Sequence, residues 1–443
     1  MRTTLSLLLI CLTASGLSAD ETETAASTAP RLLSLAGVIQ EVESANLDTL
    51  IAREGVTQAV ESIRRARAGL LPQAHVEIGQ SRNRTVFFGL GDPIHTEPFN
   101  RFAADLSVAV PVINMTSIAL YQEARHVAEK SRYEYEAALE DLKLAASELF
   151  VASLRAREAL DLARASLARA ERLRKIAAER VEAGRNSPID VSRARLEESH
   201  ARQTVIERET AVFEADQRLK RFLNIDLLAP VEPLAIDLAS SPAELPEHPP
   251  VNLGAVLEKR SDYLAGLKAE ERARLLVRAA DWQRLPSLNL YGSYGYATET
   301  PFDGEEKEEW SMGVAVSIPV FEGFRTRAEK AIAESQLRAA EHRVLDISRK
   351  VQSEVLIAWE QVRAARSRLE VGRENLSLAQ ETYRFALNRF REGATDNREL
   401  IEAQLGLDAA EINLLDLRLQ HLLARLYFAR ACGSVETVFD LLK

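Results

Sequence analysis

A tandem duplication constrains this chain more than any other feature. Arg180-Val181-Glu182-Ala183-Gly184 recurs as Arg389-Phe390-Arg391-Glu392-Gly393, 209 residues later. Val108-Ala109-Val110-Pro111-Val112 recurs as Val316-Ser317-Ile318-Pro319-Val320, with the prolines 208 apart. Leu71-Pro72-Gln73-Ala74-His75-Val76 recurs as Leu285-Pro286-Ser287-Leu288-Asn289-Leu290, with the prolines 214 apart. Three landmarks in one order at nearly one offset mean two similar halves rather than two unrelated domains.

Each half carries a very long helical stretch. Residues 118–183 contain neither proline nor glycine, and apolar residues recur there at helical spacing, as at Leu139, Leu142, Ala146, Leu149 and Ala152. At 1.5 Å per residue such a helix is roughly 100 Å long, which points to a coiled coil rather than a globular core. Gly184 then caps the helix, and Ser187-Pro188 opens its return. The second half repeats this design through Gly393.

The strands come before these helices. Ala74, Val76 and Ile78 alternate with His75, Glu77 and Gly79, and Phe102, Ala104, Leu106, Val108 and Val110 alternate with their neighbours. Leu288, Leu290, Gly292, Tyr294 and Tyr296 pair in the same way with Trp310, Met312, Val314, Val316 and Ile318, across the acidic loop Asp303 to Glu309. The expected organisation is a signal peptide at 1–19, a flexible segment at 20–31 and a first repeat at 32–225. That repeat holds a helix interrupted at Gly55, a β-hairpin at 73–110 and a helical hairpin at 118–223. A Pro-rich linker at 226–251 joins it to a second repeat at 252–432, with a β-hairpin at 287–318 and a helical hairpin at 326–431; a tail at 433–443 follows.

Composition narrows the class. Hydrophobic residues are 46% and charged residues 28%, with a net charge of −10 and no clustered basic face, so nucleic acid is not a partner. The N-terminus reads as an export signal: Arg2, then an apolar run from Leu5 to Leu12, then small residues from Ala14 to Ala19. Ile10 before Cys11 argues against lipidation, and removal of the signal leaves Cys432 without an intrachain disulfide partner. No apolar run elsewhere reaches the length of a transmembrane helix, so any membrane span is a β-barrel. Strands of roughly 9–11 residues suit a tilted membrane crossing. Four strands cannot close a barrel, but three copies supply twelve. Tyr291, Tyr294, Tyr296 and Trp310, with Phe87, Phe88, Phe99 and Phe102, cluster as an aromatic girdle would. The helices leave the hairpins through Pro111 and Pro319 and point away from one side of the sheet.

Ser317-Ile318-Pro319-Val320-Phe321-Glu322-Gly323 with Arg325, Leu257-Glu258-Lys259-Arg260-Ser261-Asp262, Arg284-Leu285-Pro286-Ser287-Leu288 and the tip Arg389-Phe390-Arg391-Glu392-Gly393 followed by Glu399-Leu400-Ile401-Glu402-Ala403 carry a resemblance. In order and spacing they resemble the TolC-like outer membrane factors, the exit ducts of tripartite efflux pumps and type I secretion systems. The resemblance implies a mainly α fold with membrane β: a homotrimer with a 12-stranded β-barrel, four strands per chain, continuous with a periplasmic α-helical barrel. It implies a periplasmic adaptor and an inner-membrane transporter as partners, with outer membrane lipid around the barrel; no cofactor or metal is expected. Its pore constriction maps to Glu399 and Glu402, with Asp190 and Arg193 at the first tip. Glu399 and Glu402 are glutamates where the best-known members carry aspartates, and three chains would present six carboxylates that favour cations and bind divalent ions. An ordinary solvated helix face accounts for the same pair. The adaptor contact maps to Val181, Gly184, Phe390 and Gly393. The closed-state lock of some members maps to Phe390 and Thr395, neither of which keeps the polar group that lock uses.

Enzyme signatures are missing: the seven histidines are scattered, and there is no P-loop, dinucleotide fingerprint or G-x-S-x-G. Two other readings share parts of the pattern. A periplasmic adaptor has one helical hairpin flanked by soluble β-domains, and a structural coiled coil of the envelope needs neither paired strands nor a signal.

Overall fold

The computed structural model describes residues 30–87, 94–95, 97–184, 187–234, 253–300, 307–395 and 397–437. The expected signal peptide, Phe88, the acidic loop up to Glu306 and most of the Pro-rich linker lie outside the described residues. The first half runs β1 (Arg31–Leu33), α1 (Leu35–Ala45), α2 (Leu47–Ala68), β2 (Gln73–Asn83), β3 (Val86–Phe87), β4 (Ile94–His95), β5 (Phe99–Ile113), α3 (Met115–Glu182) and α4 (Pro188–Phe222). After β6 (Val231–Pro233), the second half runs α5 (Leu253–Leu257), α6 (Ser261–Trp282), β7 (Ser287–Thr298), β8 (Lys307–Ser317), α7 (Arg325–Glu392) and α8 (Asn397–Ala431), and a 3-10 turn follows at Val435–Thr437.

Both hairpins join one sheet, in the order β2-β5-β7-β8, antiparallel throughout. Because side chains alternate across a pleat, the register sorts them into two faces. One face carries Val76 and Ile78 from β2, Leu106 and Val108 from β5, Leu290 and Tyr294 from β7, and Trp310, Met312, Val314 and Val316 from β8. Most of these apolar side chains are exposed: Val76 at 71%, Met312 at 83% and Val314 at 60%. The other face carries His75, Glu77, Asp105, Ser107, Asn289, Ser293, Glu309 and Ser311, and Arg101 there pairs with Glu309 at 2.5 Å. Parity also corrects the girdle. Tyr294, Tyr296 and Trp310 share the apolar face, whereas Tyr291 lies on the polar face beside Gly313.

α3 and α7 each span 68 residues, roughly 100 Å. In α7 the buried residues fall at Val351, Val355, Ala358, Val362, Ala365, Leu369 and Gly372, an alternation of four and three that defines a heptad seam. Gly372 lies against α8, where a Cβ would sit 2.5 Å from Leu417 Cδ1, so a larger residue there requires the tip of that leucine to shift. In α3 the alanines 156, 163, 170 and 177 are buried at intervals of seven, small residues that let a neighbouring helix approach. A polar ladder on α3 joins the two halves with the same period. Asp141 pairs with Arg430, Glu148 accepts from Tyr427, Arg155 binds Asp416 at 2.7 Å, and Arg169 binds Asp408 and Glu411.

The sheet and the helical body share few buried groups; the main core lies midway along the helices. There α1 buries Leu35, Val38, Ile39 and Val42 against Phe150, Val151 and Leu154 of α3 and Leu415, Leu419, Leu422 and Leu426 of α8. The expected interruption at Gly55 is not found, since Gly55 continues α2. The break falls at Asn46, whose Oδ1 caps α2 by accepting from Thr49 N at 3.0 Å and whose Nδ2 donates to Phe222 O at 2.7 Å. The flexible segment and the linker also hold structure at their described ends: β1 pairs in parallel with β6, Leu33 opposite Pro233. The second entry helix is split into α5 and α6 at Glu258 to Arg260.

The tail begins with a docked turn rather than a free end. Val435 is fully buried, its N–H donates to Glu140 Oε2 at 2.7 Å, and Glu436 lies 2.7 Å from Lys143 Nζ. Burial works against the Lys143 ammonium, but Glu436 and Glu140 outweigh it and its pKa is raised. The variant Glu436→Ala leaves a mostly buried lysine with Glu140 as its carboxylate partner among the described residues. It is expected to cost about 1–2 kcal/mol, read as a lower thermal midpoint in detergent, and adding Lys143→Met is expected to restore part of the loss. An unchanged midpoint would mean that the turn does not hold this end of the helices together.

Candidate pore constriction and helix tips

At the far end of the helices, each hairpin turns on a glycine. Gly393 has φ +82°, its N–H donates to Phe390 O, and Ala394 N donates to Arg389 O at 2.9 Å; together these bonds close a Schellman motif. Gly184 has φ +68° and donates to Val181 O at 2.9 Å. Both positions disfavour any residue with a Cβ. Gly184 is exposed, and no described residue lies within 4 Å of a Cβ built there, while at Gly393 a Cβ would lie 2.9 Å from Arg180 Nη2. The two tips are therefore unlike as surfaces.

A small apolar cluster holds the tips together: Leu173 and Ala177 of α3, Ala194 of α4, Ala386 and Phe390 of α7, and Leu400 of α8. Phe390 is fully buried there, which corrects its assignment to the adaptor contact: it packs inside the chain. The Arg180 guanidinium sits 5.0 Å from the Phe390 ring centroid and donates to Phe390 O, and also to Arg391 O at 3.3 Å. Arg180 thus crosses from the first tip and caps the carbonyl end of α7, where the helix dipole favours a cation. Asn397, fully buried, donates from Nδ2 to Asp190 O at 2.7 Å and adds a second link between the tips.

The expected constriction residues lie on the adjoining turns of α4 and α8, and each of the three carboxylates has an arginine beside it. Asp190 is buried in the first turn of α4, with a carboxylate oxygen 3.7 Å from Arg193 Nη1. Glu399 Oε1 is 2.8 Å from Arg389 Nη1, and Glu399 Oε2 accepts from Thr395 Oγ1 at 2.6 Å. Glu402 Oε1 is 3.1 Å from Arg398 Nε. The carboxylates expected to form a bare acidic ring are thus charge-compensated within the chain. Phe390 and Thr395 do take part in tip contacts, through Arg180 and Glu399 respectively, with chemistry unlike a polar lock between them.

Sequence reasoning missed Arg180 and Arg389, although the duplication makes them equivalent positions. It also missed an aromatic group at the strand-to-helix junction. Gly323 and Phe324 both adopt positive φ, at 60° and 64°, and the turn projects Val320, Phe321 and Phe324 outward at 92%, 75% and 70% exposure. Arg325 fixes the turn by pairing with Glu322 at 2.6 Å and Glu329 at 2.9 Å.

Residues 38–224 and 252–434 match a protein family described as outer membrane efflux protein. Outer membrane efflux protein BepC of Brucella suis is 26% identical over 276 residues, 59% of this chain and 60% of that one. Outer membrane protein TolC of Vibrio cholerae is 23% identical over 85% of both chains. Among solved structures, CusC superposes with a TM-score of 0.79 at 18% identity, covering 90% of this chain and 92% of that one. The outer membrane protein VceC of Vibrio cholerae superposes at 0.76 and 17% identity, over 90% and 96%. At those identities the structural likeness establishes the fold.

Proposed function

The chain belongs to the outer membrane efflux protein family, and from that premise we propose that it is the outer membrane exit duct of a tripartite efflux pump or type I secretion system. The observation that carries this reading is the two-faced sheet. A four-stranded sheet with one face apolar and exposed across every strand, and the other polar, suits one stave of a barrel between lipid and water. No helix among the described residues is long and apolar enough to cross a membrane, and the sheet is the element we place across it, since a closed barrel satisfies its own backbone. Tyr294, Tyr296 and Trp310 would meet lipid near one interface, and Phe321 and Phe324 near the other. Tyr291 would face the lumen.

The homotrimer rests on a second observation. In α7, Ile357, Val371, Leu378 and Phe385 lie at multiples of seven and are each 54–56% exposed, on a face distinct from the α7–α8 seam. In α4, Leu196, Ile206 and Phe213 are 60–65% exposed. An unpartnered heptad stripe is the surface one coiled-coil neighbour offers another, and three chains supply the twelve strands that close the barrel. The helices then form a tunnel into the periplasm, with an adaptor and an inner-membrane transporter at the tips. Val181, Gly184 and Gly393 remain the tip positions for the adaptor, and Asp190, Arg193, Glu399 and Glu402 those of the constriction. No enzymatic step belongs to this role.

Reconstitution of the purified protein into a planar bilayer tests the reading. Discrete conductance steps from a detergent-extracted trimer are expected. A protein soluble without detergent that forms no channel would favour a periplasmic adaptor instead. Arg180→Ala removes the guanidinium that ties the first tip to the second, so a larger mean conductance or a several-fold higher open probability is expected. A conductance trace identical to wild type would mean that the Arg180 contact does not restrain the tips.

A further inference from the structure

α3 and α6 lie side by side near the strand end of the helical body, and their seam holds a cluster that the channel reading does not use. His126 and Glu129 are three residues apart on one face of α3, and Glu271 reaches them from α6. One nitrogen of His126 and one oxygen from each carboxylate lie within 4.8 Å of one another. His126 Nδ1 is 3.6 Å from Glu271 Oε2, too far for a hydrogen bond. That nitrogen is shielded from solvent and has no hydrogen-bond partner among the described residues, a costly state for a ring nitrogen. Lys268 Nζ lies 3.1 Å from Glu129 Oε2 and 2.9 Å from Glu271 Oε2, so a cationic group already sits between the two carboxylates.

We propose that His126, Glu129 and Glu271 form a binding site for a borderline divalent cation, represented by zinc, for which the Lys268 ammonium is the built-in competitor. One imidazole nitrogen and two carboxylates leave a fourth tetrahedral position for water. The nitrogen donor selects zinc, cobalt, nickel or copper over magnesium and calcium, which prefer all-oxygen sites. The His-x-x-Glu spacing on one helix with a third ligand from a facing helix is a pattern that helical bundles accommodate. Arg272 pairs with Glu123 beside the cluster and holds α3 and α6 in register before any ion arrives. The ligand side chains are 27–45% exposed, so an ion can enter from solution, and Lys268 is long enough to swing out. A bound ion would clamp the second repeat's entry helix to the first repeat's long helix. Some 54 residues of α3 separate His126 from Arg180, about 80 Å along the helix, so the site is independent of the constriction.

The test is a cobalt(II) titration of the full chain in detergent, stripped with chelator, in a Glu399→Gln/Glu402→Gln background that removes the tip carboxylates. Visible absorption of a tetrahedral nitrogen-oxygen site should saturate at one equivalent per chain, be displaced by zinc and be unaffected by equimolar magnesium. His126→Ala should weaken binding by at least about tenfold, since loss even of an outer partner of a ligand costs about 10–100-fold. Lys268→Met should tighten it several-fold, which a site held by acidic charge alone would also do but without the His126 dependence or the absorption. Binding indifferent to His126→Ala, or a Lys268→Met variant that binds no more tightly than its parent, would overturn the proposal. Neither result bears on the channel.

Discussion

Arg389→Ala is expected to make the channel more cation-selective, and Glu399→Ala/Glu402→Ala to swing it toward anions. The two variants act in opposite directions because the glutamates we propose for the constriction are paired. Glu399 Oε1 lies 2.8 Å from Arg389 Nη1, and Glu402 Oε1 lies 3.1 Å from Arg398 Nε. Removing Arg389 leaves the Glu399 carboxylate with the Thr395 hydroxyl, a neutral donor. Removing the glutamates leaves the arginines as the local charge. Threefold symmetry multiplies each change, so three or six charges alter at one narrow ring. A tenfold change in the cation-to-anion permeability ratio corresponds to about 1.4 kcal/mol, well within what a few unscreened charges at short range supply. Reversal potentials across a salt gradient measure it, and the effect should shrink as salt rises and the Debye length falls below about 10 Å. Glu399 and Arg389 are 41% and 55% exposed, so their pair contributes little to folding and both variants should assemble. Reversal potentials that match wild type in both variants would move the constriction to other residues.

The architecture was legible because its signals are periodic. Freedom from proline and glycine over residues 118–183 and alternation along the strands are local properties, and both survive into α3 and the sheet. Aromatic clustering misplaced Tyr291 in the girdle: it is odd-numbered in a strand whose apolar residues are even-numbered, and the pleat, not the clustering, decides its face. The break at Asn46 was not legible. Glycine inside a helix looks like the weak point, but the real break depends on an Asn46 amide that reaches Phe222, 176 residues away. Three-residue strands such as β1 and β6 are too short for a period, and their pairing depends on where α4 ends. At the tips, the duplication identified equivalent positions but not their partners. Arg389 bends back across its own turn to Glu399, while its counterpart Arg180 crosses to Phe390 on the other hairpin. Tandem copies share a pattern along the chain, but side by side they offer each other different faces.

Arg260→Ala is expected to be the most destabilising single change in the helical body. The Arg260 side chain is 4% exposed, yet it anchors four groups from three places in the chain. It pairs with Asp262 at 2.7 Å and with Glu354 of α7 at 2.9 Å, and it donates to Ala431 O at 3.3 Å and Arg430 O at 3.4 Å at the end of α8. It therefore fixes the corner between α5 and α6 against both helices of the second hairpin. Deleting one member of a buried ionic group leaves the others uncompensated, at a cost of about 3–5 kcal/mol. Glu354→Gln should cost less, because Glu354 is 37% exposed and water can replace its partner. The triple change Arg260→Met/Asp262→Asn/Glu354→Gln should recover much of the loss, since it removes the charges together. pH supplies a separate check. Burial pushes the Asp262 carboxyl up, but the hydrogen bond and charge of Arg260 outweigh it, and its pKa lies below the ordinary carboxylate value. A depressed folded-state pKa adds stability that is present above the unfolded value of about 3.9 and is lost as pH falls through the folded value. The gap in thermal midpoint between wild type and Arg260→Ala should then be widest near neutral pH and narrow in acid. A gap that is no larger than that of Glu354→Gln, or that does not narrow in acid, would show that Arg260 fills space at this corner rather than holding it by charge.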